Sequence, residues 1–274
     1  MHIWFSIYLY FLIFYNYVLY RIIMKLDCVL TAVNENKMYL DLLPFFIKFW
    51  NKLYPEVDVK IILIANSIPE EYLSYKDNII LFEPIETIST AFTSQFIRLL
   101  YPSLLDYKNG LLITDIDDWP MNRHFFTKNI EEFSDDKWIN MRNWTGGNQI
   151  SMCWQVTTPK IWKEVFQVHS LEDIKEILLN VSNKVSYVDG PGKRGWYTDQ
   201  IYLHEKVMNW DKKTKNYVFL HDSNTKFCRL NRDHFRINNP VTCNKITNGV
   251  FSDYHCLRPN SKHFETNNKI FDLL

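Results

Sequence analysis

The chain alternates two kinds of apolar pattern. Short runs of consecutive apolar residues, rich in Val, Ile and Leu, fall at residues 26–33, 57–65, 78–82 and 110–114. Such runs predict strands buried on both faces. Between them lie longer stretches whose apolar positions recur every three or four residues. Residues 38–54 predict one helix, and residues 90–105 another, with Phe92, Phe96, Leu99 and Leu100 on one face and Gln95 and Arg98 offset from it. Strands alternating with helices predict parallel βαβ units and an α/β fold.

Beyond residue 114 the pattern predicts strands at 138–142 and 150–157 and helices at 161–168, 171–181 and 199–210. No repeat or linker divides residues 24–274, which predicts a single catalytic-sized domain. Residues 188–195 form a glycine-dense loop ahead of Trp196. This loop reads equally as a ligand-covering segment and as a plain turn.

Residues 1–20 carry no Asp, Glu, Lys or Arg, and their length matches a membrane-crossing helix. Five tyrosines and Asn16 dilute that apolar character. Residues 1–23 therefore read either as a membrane anchor or as an extension ahead of a start at Met24. Arg21 and Lys25 follow the run, so an anchor would leave the remaining chain on the cytoplasmic face, with a Golgi or ER lumenal placement disfavoured. In that orientation the N-glycosylation sequons at Asn143 and Asn180 are inert.

Composition narrows the class. Thirty-one basic residues balance thirty-one acidic ones, without the basic footprint of a nucleic-acid binder. The five cysteines, Cys28, Cys153, Cys228, Cys243 and Cys256, form no C-x-x-C pair, which suits reduced thiols.

The candidate chemistry sits at Asp115 and Asp117, two apart and directly after the apolar run 110–114. Open α/β sheets form their ligand crevices at the carboxyl ends of strands. Two carboxylates repel each other there unless a hard divalent cation joins them, and such an ion can also bridge the oxygens of a diphosphate.

This D-x-D after a core strand resembles the GT-A family of nucleotide-diphospho-sugar glycosyltransferases. The resemblance spans about residues 25–259. It also takes in the strand end at Thr31–Asn34, the helix carrying Gln95 and Arg98, the segment Trp196–Gln200 and the segment Asp253–His255. It implies a Rossmann-like, mostly parallel central sheet flanked by helices, with Mn²⁺ or Mg²⁺ as cofactor. It implies a nucleotide-diphosphate sugar donor, a UDP-sugar ahead of a GDP-sugar, and a glycan, protein or lipid acceptor.

By the same resemblance Thr31, Ala32, Val33 and Asn34 line the nucleoside pocket, and Asp115, Asp117 and His255 hold the metal, with Asp253 as the substitute for His255. Gln95 and Arg98 face either the donor or solvent. Arg258 is placed to neutralise phosphate. Asp118 belongs at the pocket rim or caps the next turn. Asp199 acts on the acceptor side, as a proton acceptor if configuration inverts; on its own position it reads as a helix cap. Trp144, Trp196 and Tyr197 are candidate sugar platforms.

Rival readings are a catalytically silent sugar-binding protein of the same fold and a sugar-nucleotide pyrophosphorylase. The latter wants a glycine-rich loop where residues 31–36 have none. A D-x-D-x-T phosphatase is disfavoured by Trp119 at the threonine position.

Overall fold

The computed structural model describes residues 23–142 and 146–274. Residues 1–20, the sequon at Asn143 and the candidate platform Trp144 lie outside the described residues. In chain order the first elements are β1 (Leu26–Asn34), α1 (Lys37–Leu40), α2 (Leu43–Leu53), β2 (Asp58–Ile64), β3 (Ile79–Phe82), α3 (Thr90–Leu100), β4 (Gly110–Ile113) and β5 (Asp118–Pro120). There follow α4 (Phe125–Lys128), β6 (Trp138–Asn140), β7 (Gln155–Thr157), α5 (Pro159–Phe166), α6 (Leu171–Ser182) and α7 (Thr198–Thr214). The chain closes with β8 (Tyr217–Phe219), α8 (Asp222–Thr225), β9 (Arg229–Asn231), α9 (Pro240–Thr247), β10 (Asp253–His255) and α10 (Asn260–Leu273).

Seven strands form one mostly parallel sheet in the order β3-β2-β1-β4-β7-β6-β8. The neighbours from β3 to β4 are parallel, and β7 runs antiparallel to both β4 and β6. The α/β class expected from the pattern is the fold observed. The runs read as strands because both faces are covered. In β2, Val59, Ile61 and Leu63 enter one apolar layer while Ile62 and Ile64 enter the other. Each such fully buried side chain stabilises the fold by about 1.5–3 kcal/mol.

The first layer is aromatic. Phe45, Phe49 and Trp50 of α2 pack beside Trp119 of β5, with ring centroids 4.7 Å apart between Phe49 and Trp119. The second layer packs Phe92 and Phe96 of α3 with Trp162 and Phe166 of α5.

A second sheet, β5-β10-β9, stands apart from the first. β10 runs antiparallel to β5, pairing His255 with Asp118, and parallel to β9, pairing His255 with Asn231. Strand order reverses where β2 and β4 flank β1, so the carboxyl ends of β1 and β4 open the crevice of a topological switch point.

Four expected elements differ. The helix expected over residues 90–105 ends at Leu100 and gives way to a 3₁₀ turn over Tyr101–Leu104, which Pro102 enters. The helix expected over residues 38–54 is two helices, because Pro44 has no N–H for the Leu40 carbonyl and instead enters the first turn of α2. The strand expected over 150–157 shrinks to β7, since the Gln155 side chain takes the Ser151 carbonyl at 2.7 Å and the preceding residues fold over it. The last strand of the 138–142 segment likewise ends at Asn140, whose side-chain oxygen receives the Arg142 N–H at 3.1 Å and turns the chain. Among the described residues no helix is long and apolar enough to cross a membrane.

Candidate functional site

A cavity of about 250 Å³ opens at the switch point. Its floor is the end of β1: Ala32, Val33 and Asn34 line it, whereas Thr31 is fully buried and does not line it. Asn34 is fixed by donating from Nδ2 to Thr90 Oγ1 at 3.1 Å.

The D-x-D follows β4 directly, and Asp115 and Asp117 both line the cavity. Arg98 reaches Asp115 from α3. Its guanidinium donates to the Thr114 carbonyl at 2.9 Å, forms an ion pair with Asp115, and lies 3.8 Å from the Asp199 carboxylate. Arg98 is thus a buried bridge, not a surface residue solvating its helix. Burial pushes the Asp115 carboxyl up, but Arg98 outweighs it and holds the group below the ordinary range. Asp115 also accepts from the Cys153 thiol at 2.8 Å.

Asp117 carries a denser set of partners. One of its carboxylate oxygens receives Arg232 Nη1 at 2.9 Å, Arg258 Nη1 at 3.1 Å and His255 Nε2 at 3.3 Å. Burial would raise this carboxyl; the hydrogen bond from His255 and the charges of the neighbouring arginines drive it well below the usual carboxylate range. The backbone contributes as well, since the Cys256 N–H donates to the Asp117 carbonyl at 2.8 Å and locks β10 against the loop. His255 therefore faces the cavity because of the β5–β10 register. Asp253, two residues earlier, is fully buried and away from it.

Asp118 is neither at the rim nor a cap. It lies in β5, 3% exposed, where Arg229 Nη2 reaches it at 2.9 Å and Arg229 Nε reaches Asp253 at 2.6 Å. Burial pushes its carboxyl up to about 6 against the pull of Arg229. Among the described residues, ligand atoms of Asp115, Asp118 and Cys153 come within 4.8 Å of one another, a group able to hold a metal ion, whereas Asp115, Asp117 and His255, the expected ligands, are not gathered so closely.

Asp199 sits in the first turn of α7, 5% exposed, one layer behind the cavity wall. One oxygen accepts from the Gln200 N–H at 2.8 Å and the other faces Arg98; the N-cap position itself is Tyr197, with no side-chain cap, so Asp199 does not cap the helix as its position in the sequence suggests. Burial pushes it up to about 7, opposed by Arg98.

The remaining wall comes from the glycine-dense loop. Tyr187, Asp189, Pro191 and Trp196 line the cavity, and Gln95 joins this wall to α3 through its Oε1, 3.0 Å from the Tyr187 hydroxyl. Gly195, at φ +79°, makes the turn; a Cβ there would meet Val185 Cγ1 at 2.6 Å. Of the expected platforms, Trp196 reaches the cavity and Tyr197, beside it, does not line it.

Arg232, Tyr39 and Tyr187 escaped the sequence reading, whereas Asp189 belongs to the glycine-dense loop 188–195. Of the three, only Arg232 had a signal, its place three residues after Arg229, just past a short apolar-polar strand.

No family model and no curated protein sequence matches this chain. Solved structures that superpose on it include the galactosyltransferase LgtC in complex with donor and acceptor sugar analogues. That pair is 12% identical with a TM-score of 0.48, covering 90% of this chain and 96% of that one. The glycosyltransferase GlyE of Streptococcus pneumoniae TIGR4 is 14% identical with a TM-score of 0.47, covering 90% and 62%. A glycosyltransferase involved in glycosylating the major capsid of PBCV-1 is 11% identical with a TM-score of 0.40, covering 89% and 98%. At this distance the chemistry rests on the chain's own residues.

Proposed function

We propose that this chain is a glycosyltransferase that moves a sugar from a nucleotide-diphosphate sugar to a hydroxyl of a glycan, protein or lipid acceptor, with a UDP-sugar as the favoured donor. One observation carries this reading. Three carboxylates, an imidazole and three guanidiniums, on loops and elements far apart in sequence, converge on one cavity at the switch point of an α/β sheet.

The donor set suits Mn²⁺ or Mg²⁺. Asp115 and Asp117 offer hard carboxylate oxygens and His255 offers a nitrogen. The second oxygen of Asp117 has no side-chain partner among the described residues. An ion held there would neutralise the diphosphate and ease departure of the nucleotide.

The chain's own residues divide the remaining work. Ala32, Val33 and Asn34 form the floor against which the nucleoside lies. Arg98 fixes Asp115 in its orientation, and Asp199 acts through Arg98 as a positioning residue, since it stands behind the guanidinium instead of at the wall. Trp196, Tyr187 and Asp189 face the sugar side, where an aromatic face and acceptor oxygens suit a polyhydroxy ring.

The test is a donor screen in which mass spectrometry follows nucleotide released from UDP- and GDP-sugars, using a chain starting at Met24. Release of UDP from one sugar donor supports the reading. Nucleotide binding with neither hydrolysis nor transfer for any donor and acceptor would favour a silent sugar-nucleotide binder.

A further inference from the structure

Asp117 carries a surplus of positive charge at the cavity wall. Two guanidiniums, Arg232 and Arg258, share one carboxylate oxygen at 2.9 and 3.1 Å. These two guanidinium charges face one carboxylate charge at this wall, while Arg98 pairs with Asp115 on the other side. A buried carboxylate needs one cation to satisfy it; the second is in excess.

Arg232 is also held so that most of its donors stay unused. Its Nη1 makes both of its bonds, to Asp117 and to the Cys256 carbonyl at 3.0 Å. Its Nε and Nη2 have no partner among the described residues, although the side chain is only 17% exposed and lines the cavity. Arg258 lies with its guanidinium carbon 4.6 Å from the centroid of the Tyr39 ring, which fixes its plane. Two preset guanidinium forks, each able to grip phosphate oxygens in pairs, match the two negative charges of a diphosphate esterified at both ends.

We propose that Arg232, together with Arg258, is an anion subsite built into the chain, which binds the diphosphate of a nucleotide without a metal ion. This rests on the reading of the cavity as a nucleotide-sugar site. A divalent ion held at Asp117 would add positive charge beside the arginines. Without it the two guanidiniums remain in place, so the ion strengthens nucleotide binding but is not its precondition. Arg232, supplied by the turn after β9, is the residue that makes the difference.

Calorimetric titration of UDP into the full chain, in EDTA and in Mn²⁺, tests this, with uridine as the control that lacks phosphate. The wild type binds UDP in EDTA and more tightly in Mn²⁺, and binds uridine in neither. Arg232→Gln weakens binding in EDTA by about tenfold or more, the loss expected for one charge-assisted contact, and weakens it by less than about threefold in Mn²⁺. Asp117→Asn, which frees both arginines, keeps the EDTA affinity within about threefold and loses the Mn²⁺ enhancement. A wild type that binds UDP in Mn²⁺ but not in EDTA overturns the inference and leaves the glycosyltransferase reading standing. So does an Arg232→Gln chain with unchanged EDTA affinity. No binding of UDP or GDP in either condition overturns the reading itself.

Discussion

Replacing Arg98 by Met tests whether the ion network behind the D-x-D holds the site together. The side chain is 7% exposed and bridges three groups: Asp115, Asp199 and the Thr114 carbonyl. Methionine keeps much of the apolar stem but leaves two carboxylates without their shared cation. Removing one partner of a buried ion pair costs about 3–5 kcal/mol, because the other charge stays behind. Asp115 is 42% exposed on its cavity side, so water screens its share of the loss. Asp199, at 6% side-chain exposure, is not screened, which places the net loss at roughly 2–4 kcal/mol. For a domain of this size that lowers Tm by about 4–16 °C. Differential scanning calorimetry at pH 8 reads it directly. Because the stranded carboxylates can take up protons, the deficit shrinks at pH 5, and adding Asp199→Asn to Arg98→Met restores part of it. A Tm within 1–2 °C of wild type at pH 8, roughly half a kcal/mol, would refute the buried-bridge account.

Three further outcomes follow from the same geometry. The Asp199 carboxyl is pushed up to about 7, above its unfolded value near 3.9, so the folded chain keeps a proton that the unfolded chain loses, and stability falls as pH rises between those values. Asp199→Asn therefore flattens the decline of unfolding free energy from pH 5 to 7 in urea titrations, and an unchanged slope would contradict this. Arg229→Met strands Asp118 and Asp253, both buried, between β5 and β10. Urea unfolding should show a loss of about 3–5 kcal/mol, and a loss under 1 kcal/mol would show that the clamp is not needed. Gly195→Ala forces a Cβ onto Val185 at a positive φ and should destabilise the chain by about 1–3 kcal/mol while loosening the cavity wall. A neutral melt combined with unaltered nucleotide affinity would mean that the loop does not depend on this turn.

The central strands were legible because burial on both faces leaves runs such as Ile61 to Ile64 with nothing polar to interrupt them. Their order made the strand-end position of Asp115 and Asp117 readable too. Strand breaks set by side chains were not legible: Gln155 ends its strand by capturing the Ser151 carbonyl, an interaction without periodicity. The β5-β10-β9 sheet was hidden for a related reason. Of its three-residue strands, β5 lies more than a hundred residues before β9 and β10, and only the folded chain pairs Asp118 with His255. That pairing decides the site, because it turns His255 toward Asp117 while burying Asp253, a choice that sequence spacing left open. Arg232 and Tyr187 lie on connecting segments, where spacing along the chain says nothing about which side chains meet. Asp118 was misplaced because three adjacent acidic-rich positions look alike until a strand assigns alternate ones to cavity and core.

The claim that Asp115 and Asp117 form a metal and nucleotide site is met most directly by titrating a UDP-sugar, in the presence and absence of Mn²⁺, into the wild-type chain and into Asp117→Ala. Mn²⁺ should tighten binding to the wild type and have no effect on the variant. Equal tightening in both chains, or a wild type that ignores the ion, would contradict the assignment.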